Sequence, residues 1–209
     1  MDEFKWPGEL RVGVLTPPKA VDPVGMVIRE GLISLQTVVE EIDALEALRP
    51  NQEVDRRARG DGNGGSIVSD PGIYVHTKNI CDGFGLASTA LFERKQLESN
   101  AARQARSAKL RAVDEKCEGI DVAIFTDRRT RNRMVHCDEW IPQLSRQYPE
   151  SFWITGIGFT HRGMISSPEL KFIYNRVFLF EEGLILHLET ELDVRALRAA
   201  AVRVLEALS

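Results

Sequence analysis

Apolar residues recur every three or four positions over 24–48, which is the spacing of one face of an α-helix. This pattern predicts a long amphipathic helix early in the chain. Two further segments rich in alanine, 98–117 and 192–208, are also predicted to be helices. Gly119 follows the first of these, at the position where a left-handed backbone favours glycine.

Short runs of β-branched and aromatic residues predict strands between these helices. Alternating residues near the end of the chain predict a hairpin that turns through Glu181, Glu182 and Gly183, and the polar, glycine-rich segment 56–65 is predicted to be a surface loop. The predicted strands are 11–16, 73–82, 86–96, 120–126, 152–158, 172–180 and 184–189.

The order of these elements predicts an α/β fold, a mixed central β-sheet flanked by helices. The chain has 209 residues and neither an internal repeat nor a linker, so a single domain over 1–209 is expected. No apolar run approaches the roughly 18 residues of a membrane span and no signal-peptide pattern occurs, so a cytoplasmic protein with no membrane partner is expected. The three cysteines are odd in number and lack CxxC spacing, which indicates reduced thiols.

Basic residues are concentrated in the middle of the chain. The formal charge is −4, yet the segment 94–136 contains eleven basic and six acidic side chains. Such a distribution suits a polyanion site on one face, although a solvated helix face would also explain it. Arginine matches phosphate oxygens and the edge of guanine, and the densest cluster is predicted to be a basic loop at 128–133. The candidate DNA-binding residues are Arg103, Arg106, Lys109, Arg128, Arg129, Arg131 and Arg133.

A candidate catalytic site lies on the two predicted strands 73–82 and 86–96. Residues two apart on a strand point to one face, so Glu93 and Lys95 project together, and Asp82 on the neighbouring strand can reach them. The two carboxylates of Asp82 and Glu93 can hold Mg²⁺ and leave positions for water and phosphate. Lys95 can then orient the attacking water or stabilise transition-state charge, as phosphodiester hydrolysis requires.

The pattern Asp82…Glu93-x-Lys95 resembles the signature of the PD-(D/E)XK nuclease superfamily, and the order of elements over 24–159 is closest to type II restriction endonucleases of the BamHI and BglII kind. Cys81 stands where the signature often has proline, and Lys95 where that branch has glutamate or glutamine. The resemblance implies a restriction-endonuclease-like core and a Mg²⁺-dependent, sequence-specific endonuclease acting on double-stranded DNA. It also implies a homodimer and a cognate DNA methyltransferase encoded nearby.

Other interpretations remain open. An acid-x-Lys triplet occurs four times in this chain, and Glu93 with Lys95 could form an ordinary cross-strand pair. Glu40 or Glu41 on the first helix could join the metal, as the family resemblance implies, or could belong to a solvated helix face. None of the four histidines is arranged with a serine or cysteine in a way that supports a nucleophilic triad, and each is interpreted as an ordinary polar residue. A non-catalytic nucleic-acid-binding or interaction protein on the same fold is the alternative function.

Overall fold

The computed structural model describes residues 23–49, 67–92, 101–165 and 169–209, with the backbone alone for 23–24, 101–106 and 108–109. The predicted strand 11–16 and the predicted loop 56–65 lie outside these ranges. The helices described are α1 (Pro23–Ala47), α2 (Pro71–Ala87), α3 (Ala101–Lys116), α4 (Ala123–Thr126), α5 (Arg128–Val135), α6 (Cys137–Gln147) and α7 (Val194–Leu208). None of them is both long enough and apolar enough to cross a membrane.

The long first helix confirms the prediction from periodicity, and the last helix confirms the prediction from the alanine-rich segment 192–208. The apolar stripe of α1 is buried, with Leu35, Ile42 and Leu45 almost fully inaccessible to solvent. This stripe packs against α2 and α7. Across the α1–α7 contact, the guanidinium of Arg198 donates from Nε and Nη2 to the two carboxylate oxygens of Asp43, at 2.6 and 2.9 Å.

The predicted strand 73–82 is wrong, because this segment lies inside α2. Asp70 caps the helix by accepting a hydrogen bond from Gly72 N at 2.7 Å, and Pro71 occupies the first helical position, where its missing N–H costs nothing. The predicted strand 86–96 is also wrong as far as it is described. Its residues up to 92 continue α2 and then form a π-helical turn, Ser88–Phe92.

The predicted strand 120–126 is wrong as well, because none of it is extended strand and its residues 123–126 form the short helix α4. Asp121 Oδ1 accepts a hydrogen bond from Ala123 N at 3.0 Å, which favours a turn of helix over an extended chain. The buried Phe125 stacks on Phe92 at 4.9 Å between ring centroids. Helix α3 confirms the prediction for 98–117, and Gly119 has the expected positive φ of 80°.

The described strands form two sheets. A five-stranded sheet has the order β1-β3-β5-β6-β7, with β3 and β5 parallel and the other pairs antiparallel. A second sheet pairs β2 with β4 in parallel. The strands are β1 (Ile67–Val68), β2 (Phe152–Thr155), β3 (Gly158–Phe159), β4 (Phe172–Asn175), β5 (Val177–Leu179), β6 (Leu184–His187) and β7 (Thr190–Asp193).

The predicted hairpin near the end of the chain is confirmed as β5 and β6, and Gly183 in its turn has φ of 67°. The predicted strand 172–180 is divided at Arg176, whose φ of 58° ends β4 and starts β5 in the other sheet. The molecule is therefore a mixed α/β protein with a mixed sheet and helices, as predicted at that level.

Candidate nucleic-acid interface

The arginine-rich segment that was predicted to be a loop is the helix α5. Its cap is Asp127, whose Oδ1 accepts hydrogen bonds from Arg129 N at 2.9 Å and Thr130 N at 3.3 Å. The Thr130 hydroxyl donates to Asp127 Oδ2 at 2.6 Å, and this bond is the main reason that the pKa of Asp127 lies below its usual value. An ionised cap holds the first turn, so the chain gathers four arginines into one eight-residue helix.

One side of α5 is anchored in the core. Met134 is fully buried, with its sulfur 3.3 Å from the Cys81 sulfur of α2. The next residue, Val135, lies against Gly85, which also belongs to α2. These contacts fix which side of α5 faces outward.

The four arginines of α5 have different surroundings. Arg128 and Arg129 are exposed, and neither forms an ion pair with any acidic side chain that the structure describes. Arg131 is half-buried and donates from Nε and Nη2 to Asn132 Oδ1, at 3.3 and 3.1 Å. Arg133 turns inward and lies over the ring of Trp140, 3.7 Å from its centroid. Arg128 and Arg129 are therefore at the surface, and Arg131 is partly exposed beside Asn132.

His136 forms the elbow between α5 and α6, and its side chain is 52% exposed. Its Nδ1 lies 3.8 Å from Glu139 Oε1, and its backbone N–H donates to Asn132 O at 3.0 Å. Residues four apart on a helix lie on one side, so Asn132 and His136 share the outward side of the elbow. Sequence reasoning missed His136, although its spacing from Asn132 within a basic segment was a usable signal.

Asp82 is on helix α2 and not on a strand. Its Oδ2 accepts from Lys78 Nζ at 2.5 Å, one turn away along the helix, and its side chain is 43% exposed. Helical structure continues from Asp82 to Phe92, which separates their backbones by about 15 Å. The segment 82–92, which was predicted to contribute to two paired strands, is therefore helical, and strand pairing does not bring Asp82 to the next predicted strand. Glu93 and Lys95 lie outside the described residues.

Glu40 and Glu41 have other partners. Glu40 is exposed and accepts a hydrogen bond from Gln36 at 2.9 Å. Glu41 accepts from Asn79 Nδ2 at 2.9 Å, and its other oxygen lies 2.5 Å from His76 Nδ1, so it joins α1 to α2. Within the described part of the chain, no group of three or more histidine, cysteine, aspartate or glutamate side chains is arranged to hold a metal ion.

The three other predicted DNA contacts lie on α3, whose backbone is described while the side chains of Arg103, Arg106 and Lys109 are not. No protein-family model, curated protein or solved structure matches this chain. No residue role is therefore transferred from a relative, and the surface of α5 has to be interpreted from its own chemistry.

Proposed function

We propose that this protein binds and cleaves RNA at the α5 surface. This name is used for the exposed and partly exposed residues of α5 and its elbow: Arg128, Arg129, Arg131, Asn132 and His136. The observation that carries the proposal is the half-exposed imidazole of His136 at the end of an arginine-rich helix. Imidazole exchanges protons near neutral pH, and arginine binds phosphate oxygens, so the surface offers both requirements of phosphodiester cleavage.

RNA is the preferred substrate class because it contains its own nucleophile. His136 accepts the proton of the ribose 2′-hydroxyl, the 2′-oxygen forms a bond to phosphorus, and the bond from phosphorus to the 5′-oxygen breaks. The departing 5′-oxygen takes a proton from an acid or from water, which leaves a 2′,3′-cyclic phosphate and a 5′-hydroxyl. Arg131, held by Asn132, neutralises the charge that develops on the phosphate oxygens. This chemistry does not require a metal ion.

A second candidate function is the Mg²⁺-dependent endonuclease on double-stranded DNA, with Asp82 and Glu93 as metal ligands and Lys95 beside them. The observation in its favour is that the half-exposed carboxylate of Asp82 is carried by α2, the helix against which the basic α5 packs. The proposal includes a restriction-endonuclease-like core, a homodimer and a protecting methyltransferase. Its arginine contacts are those of the α5 surface.

One experiment separates these candidates. The purified chain is incubated with end-labelled single-stranded RNA and with duplex DNA, each in EDTA and in Mg²⁺. We expect RNA to be cut in EDTA, with cyclic phosphate ends identified by mass spectrometry. His136→Gln should abolish this cleavage and Arg131→Ala should reduce it. His161→Gln, which alters a histidine of another part of the fold, is the matched control and should retain full activity.

Each other outcome replaces the proposal by a defined alternative. DNA cleavage that requires Mg²⁺ and is lost in Glu93→Ala would establish the second candidate. Binding of RNA or DNA without cleavage would indicate the non-catalytic nucleic-acid-binding protein. Absence of both binding and cleavage would reject the α5 surface as a nucleic-acid interface.

A further inference from the structure

Arg176 is a buried cation with no acidic partner among the residues that the structure describes. It is 6% exposed and lies between β4 and β5 with a positive φ of 58°, which is uncommon for any residue other than glycine. Its Nη1 donates to the Tyr74 hydroxyl at 2.6 Å, its Nη2 lies 3.9 Å from Cys137 Sγ, and its Nε has no hydrogen-bond partner. Within the described part of the chain, no acidic side chain forms an ion pair with it.

Arg133 is a second buried cation in the same region, since its charge and that of Arg176 both act on the imidazole of His187. Its side chain is 13% exposed and its buried Nη1 has no hydrogen-bond partner. The nearest carboxylate oxygen is Glu189 Oε2 at 3.9 Å, and the other oxygen of that carboxylate lies 3.3 Å from Lys171 Nζ. A single distant carboxylate, shared with a lysine, leaves the charge of Arg133 poorly compensated.

The imidazole of His187 is fully buried and lies close enough to both cations for each of them to lower its pKa. Burial lowers the pKa of His187 from 6.5 to about 4, and the positive charges of Arg176 and Arg133 act in the same direction. The backbone of Arg133 and the carboxylate of Asp82 oppose this shift without reversing it, and neither ring nitrogen attains hydrogen-bonding geometry. The region is therefore net positive, with His187 neutral at pH 7.

An uncompensated buried guanidinium is costly because arginine cannot lose its proton and its N–H groups need acceptors. The start of α6 adds to this demand. Cys137, whose sulfur faces Arg176, is the first residue of α6, and the N-terminus of that helix has no side-chain cap. Backbone N–H groups at a helix N-terminus attract anions. The first turn of α6 also carries the exposed carboxylates of Asp138 and Glu139, so the unpaired donors of the two buried guanidinium groups are the main attraction for an anion here.

We propose that an oxyanion of the phosphate class binds between Arg176, Arg133 and the first turn of α6, beside Cys137. A tetrahedral oxyanion has enough lone pairs to accept from both guanidinium groups and from backbone N–H groups at once. The partly exposed side chain of Arg133 places the entrance on the side of Trp140 and Glu189. The inference does not depend on RNA cleavage and extends to a site behind the α5 surface.

Titration of the whole chain with inorganic phosphate tests the proposal, with affinity measured by calorimetry and stability by melting temperature. Wild type should bind phosphate and melt at a higher temperature in its presence. Arg176→Met should bind phosphate at least about tenfold more weakly, because it lacks one of the two guanidinium groups that donate hydrogen bonds to the anion. Without phosphate it should melt no lower than wild type, because a buried uncompensated charge has been removed. Arg198→Met removes the same charge from α7 and should bind like wild type.

Two results would overturn the proposal: phosphate that stabilises Arg176→Met as much as wild type, or phosphate that binds neither protein. Should Arg176→Met fail to fold, Arg133→Met decides by the same criterion.

Competition with single-stranded RNA lacking a terminal phosphate identifies the source of the oxyanion. Displacement of phosphate by this RNA would make it a phosphodiester of a bound nucleic acid, and simultaneous binding would make it a free phosphate ion. Either result supports the site. Both can be measured even if the protein does not cleave RNA, because they report binding alone.

Discussion

Gly85 of α2 lies directly beneath Val135 of α5, so closely that a Cβ atom at position 85 would stand 2.1 Å from Val135 Cγ2. At this point the core helix α2 contacts the arginine-rich helix α5. A valine on a helix has one strongly preferred rotamer and cannot turn away easily. The position of the α5 surface is therefore set by the absence of a side chain at Gly85.

Gly85→Ala should lower the free energy of unfolding by about 1–3 kcal/mol, the usual cost of overpacking, despite the better helix propensity of alanine. Urea denaturation measures this loss. The double variant Gly85→Ala/Val135→Ala removes the clashing methyl group and should recover most of the stability. A double variant no more stable than Gly85→Ala alone would show that Val135 is not the obstacle.

His187 should make the protein less stable as the pH falls from 6.5 toward 4. Burial, followed by the charge of Arg176, lowers the pKa of His187 to about 4, so the unfolded state takes up a proton in this range while the folded state does not. The free energy of unfolding should fall by up to about 1.4 kcal/mol per pH unit. Chemical denaturation at several pH values should show a flatter profile for His187→Leu between pH 6.5 and 5. Parallel profiles, with His161→Gln as the control, would count against this assignment.

Thiol labelling of the native protein should modify Cys137 first. Burial raises the pKa of Cys81 from 9.0 to about 12, which reduces its thiolate about a thousandfold, and Cys81 is fully buried. Burial also raises the pKa of Cys117, whereas Cys137 is only half-buried. Mass spectrometry after brief iodoacetamide treatment should find label on Cys137, and native Cys137→Ser should take up almost none. Rapid labelling of Cys81 would mean that the contact between α2 and α5 opens readily.

Arg128 and Arg129 should each account for about one phosphate contact. Removal of one such contact lowers the slope of log affinity against log salt by about one and weakens binding to all sequences alike. Fluorescence anisotropy with single-stranded RNA at several salt concentrations measures this slope for Arg128→Ala and Arg129→Ala. Arg203→Ala removes an exposed charge from α7 and is the control. Equal slopes for all four proteins would exclude α5 as the contact surface.

The sequence predicted those elements whose signal is local. The apolar stripe of α1 and the alternation of the β5–β6 hairpin each repeat over enough residues to identify the structure without knowledge of its neighbours. Helix α2 has no repeated pattern of this kind in its sequence. A short apolar run with β-branched residues fits a buried strand and a buried helix equally well, and the decisive pair, the Asp70 cap followed by Pro71, was a signal that the prediction did not use.

The candidate sites depended on contacts between distant segments. The sequence prediction places Gly83 and Gly85 between or beside two strands, whereas both lie inside α2, where they permit close approach of Val38 and Val135. Assignment of Asp82 to a strand followed from that error, and its place in the predicted nuclease site stays a prediction. The composition of α5 correctly indicated a basic cluster, but its helical form required the Asp127 cap. The surroundings of Arg176 could not be inferred, since its neighbours Tyr74 and Cys137 come from two distant parts of the chain.

The ion pair between Asp43 and Arg198 joins residues that lie 155 positions apart. During synthesis, α1 leaves the ribosome long before α7 exists, and its apolar stripe can meet α2 first but not its second partner. The last helix therefore completes the core of the first, and the order of synthesis requires a nascent chain to wait with part of that stripe uncovered. Long-range contacts of this kind slow folding, so this interval is where a chaperone would have most effect on the yield of native protein.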